Sequence, residues 1–323
     1  MNINCSYREF QLRNSIPNVI SEDLEEMMIH AKNYEEFYRL AQSAFPLSGI
    51  ESSVFSDYKA MNVFPFNDKE LTRLGLHVFR KYFAYIAHKK RVVNEMSYFD
   101  NEGLAIFEQL FNDEYISPAI EEFQNIPLSV NKQFGNIILA DTNRYPTLTL
   151  LANSLKFMIE RCIGSEPKFE IEEKFNTNTF AQRVLNSPND NDNQKNSHVD
   201  TFFPAIKWWW FPKAVTLDDG PLCYARNSPK MVDSMLVWVY SESIKCVEGT
   251  YDKSKLIDHV QGSLRATDEE LTALGYEMKP VPVDGNTLVI ANVSGFHRRG
   301  DTANTYIRNA IHGSIRLSNP FHF

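Results

Sequence analysis

The chain has 323 residues and a formal net charge of -8, with 43% hydrophobic and 13% aromatic residues. That apolar content supports a large buried core and excludes global disorder, while the acidic balance excludes a surface built to neutralise nucleic-acid phosphates. Its four cysteines, Cys5, Cys162, Cys223 and Cys246, share no C-x-x-C spacing, which excludes a disulfide framework or a zinc ribbon and points to a reducing compartment.

In chain order, the first elements read as helices. "MNINCSYREFQLRNSIP" carries no apolar signal region, and no later window approaches the ~18 apolar residues of a spanning helix. A soluble, cytoplasmic protein with no membrane partner is therefore expected. Ser21 caps a helical pattern running to Phe45, and Asn67 or Asp68 caps a stronger one through Leu71, Leu74, Val78, Phe79, Phe83 and Ile86. "NEGLAIFEQLFNDEY" and "YPTLTLLANSLKFMIERCIG" read the same way. The pattern changes near residue 166. "PKFEIEEKF" and "NTFAQRVLN" alternate as half-buried strands do, and Ser187 to Asn196 is a polar loop. Strand-like runs follow at Phe202 to Leu217, Pro221 to Ala225, Met235 to Tyr240, Asn286 to Val293 and Thr305 to Ile315, with one short helix in "DEELTALGY". The expected class is α+β. A helix-rich N-terminal region (1–165) packs against a double-stranded jelly roll (166–323), the two forming one integrated domain.

The chemistry concentrates in the second half. His198 and Asp200 are two apart in "HVD", so on a strand they share a face and can meet one ion. His297, in "GFHRRGD" just past an apolar strand, is the best third ligand. Two histidines and one carboxylate suit iron(II) and leave coordination positions open. Arg308 follows on the next predicted strand. Its guanidinium suits a carboxylate held bidentately.

These residues resemble the phytanoyl-CoA dioxygenase-type Fe(II)/2-oxoglutarate oxygenases, on "HVD", "DGPL" (219–222), "GFHRRG" and Arg308, over roughly residues 175–318. The resemblance implies a double-stranded β-helix in which His198, Asp200 and His297 hold iron. It also implies that Arg308 binds the distal carboxylate of 2-oxoglutarate and that O2 oxidises a substrate C–H bond, giving succinate and CO2. Some members of that family close rings, as in kainoid biosynthesis, so hydroxylation, desaturation and cyclisation are all implied outcomes. The stretch "YARNSPK" departs from the family's usual Pro-Gly-Ser-His-Lys pattern while keeping Ser228 and Lys230, which affects the substrate rather than the metal.

A small molecule is the expected partner, and the oligomeric state stays open. Arg183, Lys207, Arg226, Arg298 and Arg299 give the β-rich half a basic bias that fits a carboxylate-bearing substrate. Among the tryptophans of "KWWWF", Trp208 and Trp210 share one strand face and are the candidates to wall the cavity. Two other readings remain: a zinc-dependent hydrolase using the same three ligands, and a non-catalytic jelly-roll binding module.

Overall fold

A computed structural model describes residues 102–128, 132–133, 137–163, 179–188, 192–200, 205–229 and 264–316, with positions 234, 235, 238 and 242. The helices expected over 21–45 and 67–96 and the strand over 167–175 lie outside these residues.

Strand β1 (Leu104–Phe107) leads to helix α1 (Asp113–Gln124), then β2 (Lys132–Gln133), β3 (Ile137–Asp141) and helix α2 (Pro146–Ile163). The β-rich part follows as β4 (Thr179–Asn186), β5 (His198–Val199), β6 (Ala205–Phe211), β7 (Leu222–Tyr224) and β8 (Leu264–Arg265). Helix α3 (Asp268–Ala273) precedes β9 (Lys279–Val281), β10 (Thr287–Asn292), β11 (His297–Arg299) and β12 (Tyr306–Arg316). Two antiparallel sheets result. The larger runs β1-β10-β6-β12-β4-β3-β2 and the smaller β8-β5-β11-β7-β9. This jelly-roll-like pair takes strands from both sides of residue 166.

Strand alternation divides the large sheet into two faces. On one, Trp208 and Trp210 of β6, Leu288 and Ile290 of β10 and Ile311 of β12 pack with Phe123 of α1 and Leu148, Leu151 and Leu155 of α2. On the other, Phe211, Val289, Ala291 and Ala310 meet Tyr224 of the small sheet, with Trp209 against them. This second layer is the barrel interior. The small sheet's far side is covered by Val199, Ala225 and Leu264 with Leu271 of α3.

Local chemistry explains the helices that brace this frame. Asp113 and Glu114 sit in the first turn of α1, where the helix dipole favours acids. Glu122, near its end, accepts the Thr147 and Leu148 N–H groups at 2.9 Å each, so one carboxylate caps α2. Thr267 and Glu270 close a capping box on α3.

Three sequence expectations change. The helix predicted over 101–115 begins as β1, which pairs with β10 at the sheet edge and buries Leu104 and Ala105 in opposite cores while Ile106 stays exposed. The strand expected over 235–240 is helical at its described positions, Met235 and Trp238. Strand β3 was not anticipated; it extends the sheet by pairing with β4.

Candidate metal centre

His198 and His297 are direct partners across the β5–β11 pair, which brings their rings within 4.4 Å, centroid to centroid. Asp200 follows β5, its backbone N–H donating to the Val293 carbonyl at 2.9 Å beyond the end of β10. Its carboxylate lies 3.5 Å from His198 Nε2 and 3.6 Å from His297 Nε2. These three residues form a set able to hold a metal ion such as iron.

The backbone dictates which nitrogen of each ring is free to meet an ion. His198 Nδ1 lies 2.7 Å from the Asn196 carbonyl, and His297 Nδ1 lies 3.0 Å from that of Gly295. A carbonyl only accepts, so each Nδ1 carries the proton and each Nε2 offers a lone pair. His198 Nε2 is buried without a hydrogen-bond donor. Burial, then the neighbouring His297, keep the His198 ring well below its ordinary pKa and therefore neutral. Burial pushes the Asp200 carboxyl up, but the Lys207 ammonium and the His297 ring outweigh it and hold the group well below the usual carboxylate range. Three electron-pair donors thus converge, a set that could hold a cation.

The turn before His297 is fixed by close packing. A Cβ on Gly295 would lie 2.7 Å from Ser228 Oγ and from the Pro229 ring. Ser228 Oγ donates to the Ala225 carbonyl at 2.6 Å and accepts the Phe296 N–H at 2.8 Å. The serine retained in "YARNSPK" thus holds the loop that carries a ligand.

Lys207 projects from β6 into the interior and meets Asp200 Oδ2 at 2.5 Å. Trp209 shares that face and stacks on His312 of β12, ring centroids 5.2 Å apart. Arg308 projects inward four residues before His312, roughly 13 Å along the strand. It donates to the Gly220 carbonyl of the "DGPL" turn and lies 5.9 Å over the Phe211 ring. Its Nε is buried with no partner among the described residues. Burial, then nearby Arg299, lower its pKa to about 9, which still leaves it charged at neutral pH.

The other candidates separate. Trp208 and Trp210 face the helices rather than the cavity, because the parity of β6 puts Lys207, Trp209 and Phe211 inside. Arg183 is also on the helix side, donating to the Ile126 carbonyl at 2.7 Å. Arg298 points outward from β11 and lies 3.6 Å from Asp268. Arg226 is bound to Glu102 at 3.2 Å. Arg299 faces inward and forms a buried ion pair with Asp192. Trp209 belongs to the tryptophan run weighed for the cavity wall, whereas His312 and Asp192 lie outside the motifs the sequence offers. Residue parity on β12 was the available signal for His312, since it sits four residues after Arg308.

No protein-family model and no curated protein sequence matches the chain. Among solved structures it resembles the epimerase SnoN in complex with Fe3+, alpha-ketoglutarate and nogalamycin RO, at 10% identity and TM-score 0.46, covering 71% of this chain and 83% of that one. The carbocyclase SnoK of nogalamycin biosynthesis gives 10% and 0.41, with 71% and 84% covered. HygX from Streptomyces hygroscopicus, with nickel and 2-oxoglutarate bound, gives 12% and 0.42, with 69% and 86% covered. At these values, a functional reading of this chain rests on its own site.

Proposed function

We propose that the chain is an Fe(II)- and 2-oxoglutarate-dependent oxygenase. It would oxidise a C–H bond of a small molecule, with 2-oxoglutarate and O2 giving succinate and CO2. The observation that carries this is the convergence of two backbone-tethered Nε2 lone pairs and one carboxylate inside a jelly-roll barrel. Iron(II) bound there would supply O2 activation, with 2-oxoglutarate as the two-electron reductant.

The chain's own residues do the rest. Arg308 holds the distal carboxylate of 2-oxoglutarate. Its buried Nε, without a partner among the described residues, supports this role, because an orphaned donor is costly and a carboxylate would satisfy it. Trp209 and His312 form a stacked wall that excludes water from the reacting end. Hydroxylation, desaturation and ring closure all follow from the same constellation, as the family resemblance implies. A zinc hydrolase would use the triad but would give the buried Arg308 no ligand.

The test is direct. Purified protein is incubated with Fe(II), ascorbate and 2-oxoglutarate under air, with and without metabolite extract, and succinate is measured. Binding of 2-oxoglutarate to the metal-loaded protein is followed by calorimetry. Succinate formation above a His297→Ala control supports the proposal. Absence of both turnover and 2-oxoglutarate binding overturns it.

A further inference from the structure

Among the described residues, the charges that face the barrel interior leave a positive excess at Lys207 once Asp200 is given to a metal. Among the described residues, Lys207, Arg299 and Arg308 face the interior as cations, and Asp192 and Asp200 as anions. Glu242 and Arg265, both buried, bring one charge of each sign, and the Glu102–Arg226 pair adds none. His312 adds none either. Its Nδ1 bonds to the Trp208 carbonyl at 2.9 Å, and burial, then Lys207, lower its pKa to about 3. The described residues therefore leave one net positive charge. A divalent metal raises this to three and a 2-oxoglutarate dianion returns it to one. Lys207 is the cation affected, because its partner Asp200 is then claimed by the metal.

We propose that Lys207 is the anchor for a substrate carboxylate, and that the natural substrate is a small monocarboxylate whose acid group docks beside the metal. This rests on the oxygenase reading above. Three observations single out Lys207. Its side chain is 28% exposed, whereas Arg265, the other cation near His198, is 2% exposed. It stands on the inner face of β6, next to the Trp209–His312 wall. Its ammonium has no fixed fork geometry, so it can turn from Asp200 to an incoming anion. One carboxylate restores neutrality; a phosphate monoester, at roughly -1.5 to -2, would overshoot. The pairing geometry also gives Lys207 a role in the absence of metal, since it compensates Asp200 in a buried site that would otherwise reject the charge.

The experiment uses the full chain loaded with Ni(II), which does not turn over. The first titration is 2-oxoglutarate alone. The second, at saturating 2-oxoglutarate, compares monocarboxylates from acetate to 3-phenylpropionate, each against its own primary amide. The best carboxylate is expected to bind about tenfold or more tightly than its amide, as a charge-assisted contact gives. Lys207→Met should erase that preference, leaving the amide and 2-oxoglutarate affinities unchanged, and Lys207→Arg should retain most of it. No carboxylate preference anywhere in the series, or a preference surviving in Lys207→Met, overturns the proposal. So does a loss of 2-oxoglutarate binding in Lys207→Met, which would make Lys207 a cosubstrate contact. If the first titration shows no 2-oxoglutarate binding to wild type, the oxygenase reading itself fails.

Discussion

Gly313→Ala is expected to destabilise the protein through one neighbour, Trp208, and to disturb the site from the opposite face of the sheet. Gly313 is the direct partner of Trp208 across the β12–β6 pair. A Cβ there would lie 2.0 Å from Trp208 Cζ2, 2.5 Å from Cε2 and 2.7 Å from Cη2. The obstacle is a rigid bicycle, fully buried between the sheet and α2. Overpacking typically costs about 1–3 kcal/mol, and three contacts below 3 Å against an immobile ring place this case at ~3 kcal/mol or above. Trp208→Phe, which removes the far edge of the indole, should alone cost roughly 1–2 kcal/mol through the cavity it leaves. The double variant should then lose less than the sum, with a coupling of ~1–3 kcal/mol. Urea unfolding of the three variants and wild type measures all four corners. A second readout connects to function, because β12 carries Arg308 and His312 on its inner face, and Gly313→Ala should weaken 2-oxoglutarate binding while Trp208→Phe/Gly313→Ala recovers part of it. Additive single costs, or a Gly313→Ala variant as stable as wild type, would refute the packing argument.

Removing a ligand should act on the metal more than on the fold. His198→Ala and His297→Ala should each abolish stoichiometric Co(II) binding in a spectroscopic titration while the circular dichroism of the apo-protein stays close to wild type. Arg308→Met should leave Co(II) affinity intact and weaken 2-oxoglutarate by roughly tenfold to a hundredfold, the range for losing a charged hydrogen-bond pair; unchanged calorimetric affinity would remove Arg308 as the anchor. The pH dependence follows from His312, whose folded pKa of about 3 lies below its unfolded value near 6.5. Between those values the unfolded chain binds the extra proton, so apo-protein stability falls as pH drops below about 6.5, approaching ~1.4 kcal/mol per pH unit for this group. Denaturant unfolding of His312→Gln should show a correspondingly flatter profile between pH 4 and 6.5, and an unaltered slope would show that His312 is not the titrating group.

The parts of the fold legible in the sequence were those with one unambiguous period. β4 stands close to where alternation placed it, β10 and β12 fall within the strand-like runs at Asn286–Val293 and Thr305–Ile315, and α2 matches its helical pattern. β1 is a four-residue apolar run, too short for its period to separate strand from helix. The site divides similarly. His198 and Asp200 were legible because two residues define a face, and His297 because it follows an apolar strand. The assignment of the tryptophans failed at the parity of β6, since nothing in "DTFFPAIKWWWFP" says whether the odd or the even positions look inward. Asp192 was hidden for another reason. It lies in a loop that reads as polar surface, yet its carboxylate is buried against Arg299, a partner far along the chain.

The parity of β6 also explains why so much aromatic bulk stands next to His198 and Asp200. The strand lies between β10 and β12, and its register with both is in principle free to slip. A slip of one residue would turn Trp208 and Trp210 into the barrel, where His198, Asp200 and His297 converge. It would also drive the Lys207 ammonium into the apolar layer formed with α1 and α2, which costs several kcal/mol for an unpaired charge. Gly313 adds a second lock, because on the large sheet its missing side chain makes room for the indole edge of Trp208. The tryptophans facing the helices therefore do their work for the site at a distance: they fix the register that sets Lys207 against Asp200 and Trp209 against His312. The same logic predicts that substitutions on the helix-facing side of β6 will alter ligand binding without touching a ligand.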